Sequence, residues 1–258
     1  MQGLHLPTAE RHGRLSNIIT TLLRISLLGI TGEEDEPRTA SFELLSAICT
    51  YLDFEGRPAV HSKGELRLLR LHASSHTSIV GVYCTGHPGA FLTQVSEGLA
   101  SHAPHLTMDF ISELAGSIGK LNVPLRAHTL QYLGPWMKNL PLFTDPCSKL
   151  YEPSGTRFRD CIRMLVDLTT AENDLVSYVQ KHIWTEIGKL ETTTVNIILD
   201  ELMRAAVDGG MGSQRCEKVA DTMSAVSSIN VRGRILARVR KASISHGQLT
   251  LQRILIVV

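Results

Sequence analysis

The sequence predicts an all-α chain built from stacked antiparallel helix pairs. Three observations carry that expectation. Apolar residues recur at helical spacing through most of the chain. The clearest case is 192–208, where Val195, Ile198, Leu199, Leu202, Met203 and Ala206 follow i, i+3, i+4, i+7, i+8 and i+11. Strict apolar–polar alternation, the mark of a half-buried strand, is nearly absent. Prolines and glycines fall where helices should start and stop, at spacings of about 15 to 25 residues. About ten helices joined by short turns imply an α-solenoid of HEAT- or armadillo-like helix pairs. The repeats show no fixed period by eye, so an irregular globular bundle is the alternative.

Taken in order, segment 14–30 places Leu15, Ile18, Ile19, Leu22 and Ile25 on one face. After the acidic turn "GEEDE", Pro37 opens a helix over 37–52. Pro88 precedes a helix at 89–102, and Pro104 separates it from 105–121, whose stripe is Leu106, Phe110, Leu114, Ile118 and Leu121. Pro124 opens 124–133, and Pro135 stands at the first helical position of the short segment "PWMKNL". The proline-rich "PLFTDPCSKLYEPSG" is a polar connection. Helix 155–170 carries Phe158, Cys161, Ile162 and Leu165; helix 172–188 carries Val176, Val179, Ile183 and Ile187. Residues 55–86 mix a weak helical patch with a β-like run from Ile79 to Tyr83, and read as a long irregular loop of low order. The expected organisation is one solenoid segment over 1–242 and a divergent C-terminal tail over 243–258.

The stretch "AAVDGGMGSQR" (205–215) could be a phosphate-cradling loop or a helix corner. A Walker loop needs a lysine followed by Ser or Thr after its last glycine, and a strand before it. Ser213 follows Gly212 with no such lysine. A dinucleotide turn needs a third glycine where Arg215 stands. The corner explains every residue: Gly209 or Gly210 takes the left-handed position that ends 192–208, and Ser213 caps a helix at 214–227.

Apolar residues make up 43% of the 258 and charged residues 20%, enough for a packed core. A net charge of +1 gives no global electrostatic argument for nucleic acid. The five cysteines, Cys49, Cys84, Cys147, Cys161 and Cys216, never fall in a CxxC spacing, and read as reduced, mostly buried thiols of a cytoplasmic protein. The N-terminus lacks a secretory apolar core, and no run approaches the roughly 20 apolar residues of a spanning helix.

The residues that could carry chemistry have plainer explanations. His72 and His76 lie at i, i+4 with His61 nearby, but in a segment without a rigid support for a metal. Asp109 and Glu113 share a helix face, as do Asp200 and Glu201 with Arg204; on amphipathic helices such groups form the solvated side. Trp136 and Trp184 sit among apolar neighbours as core anchors. No catalytic, cofactor-binding or metal-binding residue is assigned, and no cofactor is expected. The run "VRGRILARVRK" carries a further candidate, whose plainer explanation is the solvated face of the last repeat. Arg232, Arg234, Arg238, Arg240 and Lys241 border an apolar stripe, so 231–241 reads as a basic amphipathic helix able to meet an acidic partner or anionic lipid.

Two long stretches carry a resemblance. "APHLTMDFISELAGSIGKLNVPLRAHTLQYLGPWMKNL" (103–140) and "VQKHIWTEIGKLETTTVNIILDELMRAAVDGGMGSQRCEKVADTMSAVSSINVRGRI" (179–235) resemble the helical region of neurofibromin and its fungal relatives, the inhibitory regulators of the Ras–cyclic-AMP pathway. "GRLSNIITTLLRIS" and "ASFELLSAICTYLDF" resemble the helices just ahead of it, so the similar pieces cover most of 13–54 and 91–240. The resemblance implies an α-solenoid segment of a very large Ras GTPase-activating protein, beyond its catalytic and its Sec14- and PH-like modules. None of those modules is recognisable here, so no catalytic residue carries over. Residues 55–90 and the end after about 242 depart from the pattern, and the apolar finish "ILIVV" suggests a fragment or an imperfect gene model.

Three functions follow as expectations. The first is a non-catalytic scaffold in a negative regulator of Ras signalling, meeting Ras through other modules and pairing with a second copy through solenoid faces. The second is a GTPase activator in its own right, which needs an arginine on a mobile loop. The third is a peripheral membrane or trafficking adaptor using 231–241, with no nucleic acid involved in any of them.

Overall fold

The computed structural model describes residues 8–32, 34–52, 88–171, 175–210 and 212–226. Among the described residues every regular element is helical and no strand occurs, so the fold is all-α. The expected loop at 55–86, the basic segment 231–241 and the tail 243–258 lie outside the described residues. The chain divides into two compact units, Met1–Ser117 and Ile118–Val258.

In the first unit, α1 (Thr8–Ile30) and α2 (Asp35–Tyr51) are joined by a short turn and pack along each other. They approach closely, because a Cβ on Gly29 would collide with the Ser41 hydroxyl. The face of α1 that is buried is not the one its apolar spacing predicts. Leu23, Leu27 and Ile30 are in the core together with Ser16, Thr20 and Ser26, while Ile18 and Ile25 are 56% and 45% exposed. Small hydroxyl residues are tolerated inside because the helix satisfies them. Thr20 Oγ1 donates to the Ser16 and Asn17 carbonyls at 3.0 Å, and Ser26 Oγ donates to the Leu23 carbonyl at 2.9 Å. Their small size also lets α2 come near, which two isoleucines would prevent.

Next come α3 (Pro88–His102), a 3-10 turn (Pro104–Leu106) and α4 (Thr107–Ile118). Pro88 and Pro104 each open their element, as the sequence predicts. The stripe Leu106, Phe110, Leu114 and Ile118 is buried, joined by Met108 and Ile111. His102 Nε2 lies 2.9 Å from the Leu52 carbonyl, tying the end of α3 to the end of α2. Arg24 of α1 donates to Glu113 of α4 at 2.7 Å, so Glu113 serves as a helix tie.

The second unit begins with a capped helix. Asn122 accepts from the Leu125 amide at 3.1 Å and starts α5 (Val123–Leu133), with Pro124 in its first turn. Where a short segment "PWMKNL" is expected, a ten-residue 3-10 helix, Gly134–Phe143, forms. Pro135 and Pro141 have no N–H to offer an α-helical ladder, and Trp136, Met137 and Leu140 are driven fully into the core.

Helix α6 (Thr156–Ala171) buries Phe158, Cys161, Ile162 and Leu165 as expected. The span expected to be one helix at 172–188 is instead three pieces: α7 (Val176–Val179), a π turn (Gln180–Trp184) and α8 (Thr185–Gly188). The extra residue of the π turn lets Ile183 and Trp184 both enter the core, alongside Val179 and Ile187. Thr185 Oγ1 donates to the Gln180 carbonyl at 2.9 Å. Helices α9 (Thr192–Asp208) and α10 (Gln214–Val226) complete the unit, packing against each other and against α6. Trp136 and Trp184 are its largest fully buried side chains, as their apolar neighbours predict.

Candidate functional site

The glycine corner is settled by its backbone. Gly209 closes α9 with its amide on the Ala205 carbonyl at 3.1 Å, and its φ is −70°. Gly210 takes the left-handed position at φ +82°, and Gly212 has the same φ. Ser213 Oγ then accepts from the Cys216 amide at 3.2 Å and caps α10. This is a helix stop followed by a helix start, with no strand leading in as a phosphate loop would require.

Beside that corner lies a charged cleft of about 260 Å³, formed by α6, α9 and the start of α10. It is lined by Glu201, whose side chain is only 3% exposed. The sequence reading put Glu201 on a solvated face with Asp200 and Arg204; Asp200 is exposed, but Glu201 is buried. The reason is tertiary. Arg204, one turn along α9, donates to Glu201 Oε1 at 2.6 Å, and Arg163 from α6 donates to Oε2 at 3.3 Å. Both carboxylate oxygens are therefore met by guanidinium groups that are themselves about half exposed and hydrated. Arg163 also reaches Asp160 at 3.4 Å.

A second pair closes the cleft at α10, where Arg215 donates to Asp167 Oδ1 at 2.6 Å. The Arg215 stem lies over Gly209, where an added Cβ would sit 2.9 Å from its Cδ. Further along α10, Lys218 donates to the Thr170 carbonyl at 2.6 Å. Val166 and Ala205 add apolar lining, and Asp208, also lining the cleft, is exposed. Arg204 was legible as the i+3 neighbour of Glu201. The cross-helix partners Arg163 and Arg215 left no sequence signal, because residues 38 and 48 positions apart meet only through packing.

The other sequence candidates fall elsewhere. Asp109 and Glu113 both lie on α4, with Glu113 engaged by Arg24. Cys49, Cys161 and Cys216 are buried free thiols and Cys147 is exposed. His61, His72 and His76, and the basic residues Arg232, Arg234, Arg238, Arg240 and Lys241, lie outside the described residues. Among the described residues no group of three or more His, Cys, Asp or Glu could hold a metal ion. No described helix is long and apolar enough to cross a membrane.

Two titratable rings, Tyr132 and His182, lie on α5 and the π turn. Tyr132 is fully buried, and burial pushes its phenol well above the usual range. Burial lowers the His182 imidazole below its ordinary value, with Lys181 adding to the effect and Glu186 opposing it. Neither group lines the charged cleft. The arrangement there orders three helices through paired charges, and among the described residues that line it no nucleophile stands beside a base. No family model matches the chain.

Proposed function

We infer that this chain is a non-catalytic helical scaffold segment of a neurofibromin-like Ras GTPase-activating protein, arranged as an α-solenoid. The observation that carries the non-catalytic reading is the placement of the arginines. Among the described residues every arginine lies on a helix, and those around the charged cleft are each held by a carboxylate. An activating arginine must instead reach from a mobile loop to the charge developing between the β- and γ-phosphates. The long collinear resemblance at 103–140 and 179–235 supports the family reading, and its most telling pieces are packing devices: the two tryptophans and the glycine corner.

What supports the solenoid arrangement is the packing of consecutive helices, α1 against α2 and α9 against α10. In this reading the chain is cytoplasmic, meets Ras through other modules of a longer protein, and touches membranes at most peripherally through 231–241.

Single-turnover GTP hydrolysis by Ras, with stoichiometric purified chain, tests the non-catalytic part. An unchanged rate is expected, against the roughly 10³- to 10⁵-fold gain that such an arginine supplies. A tenfold acceleration that vanishes when one arginine is changed to alanine overturns it. One continuous transcript across the locus tests the family part. It should encode a Ras-GAP catalytic module upstream of this segment, and a transcript encoding this chain alone overturns that reading.

A further inference from the structure

We draw no further inference here: the strongest candidate, the exposed apolar patch that Ile18 and Ile25 form on α1, carries nothing because nothing in the structure shows what covers it.

Discussion

Gly134 lies against the backbone of His182: a Cβ on Gly134 would sit 2.9 Å from the His182 carbonyl oxygen. The start of the 3-10 segment and the π turn thus touch main chain to main chain. Neither backbone can swing aside as a flexible side chain could. Gly134→Ala should therefore destabilise the second unit by about 1–3 kcal/mol, the usual cost of overpacking a fixed core. Urea unfolding of both proteins measures it. A loss below about 0.5 kcal/mol would mean that the two segments separate freely.

Trp184 and Thr169 form a buried polar contact of the same core. Trp184 Nε1 donates to Thr169 Oγ1 at 2.9 Å, and the Thr169 hydroxyl in turn donates to the Leu165 carbonyl at 2.7 Å. Thr169→Val keeps the shape but strands the indole N–H. A cost of about 1–3 kcal/mol is expected. Trp184→Phe removes the donor, so adding Thr169→Val to it should cost less than Thr169→Val alone. Equal costs in a double-mutant cycle would show that the hydrogen bond contributes nothing to stability.

The Glu201 site should respond asymmetrically. Changing both Arg163 and Arg204 to Met leaves a buried carboxylate with no cation, which should cost about 2–4 kcal/mol. Changing Glu201 to Met leaves two half-exposed guanidinium groups that water can serve, and should change stability by less than about 1 kcal/mol. Chemical denaturation of the two variants side by side decides. The reverse order would mean that Glu201 is hydrated in solution.

His182 sets a pH dependence with a definite sign. Its folded-state proton affinity is lowered, chiefly by burial, so the unfolded chain binds the proton more tightly. The stabilising contribution of neutral His182 is complete above its ordinary titration near about pH 6.5. It is lost as pH falls below that value and through the lower folded-state one. Tm measured from pH 8 to pH 5 should therefore fall further for the native protein than for His182→Gln. Parallel curves would remove His182 as the cause.

The sequence by itself determined several of the helix starts, and the nature of the glycine corner. Pro88, Pro104, Pro124 and Ser213 act through their own backbone chemistry, and that is local. The stripe of 192–208 has one dominant apolar side, so its buried face was legible as well. Tertiary structure decided the rest. Helix α1 carries apolar residues on two sides, and close approach to α2 at Gly29 and Ser41 selected the side with small hydroxyls, leaving Ile18 and Ile25 outside. The π turn arises because Ile183 and Trp184 must both be buried, a demand set by the surrounding core and invisible in a 3.6-residue period. Glu201 is inside because Arg163, 38 residues earlier, arrives on a different helix to share its charge. Spacing along one helix fixes a pair such as Glu201 and Arg204. A buried charge needs partners from more than one element, and only packing brings those together.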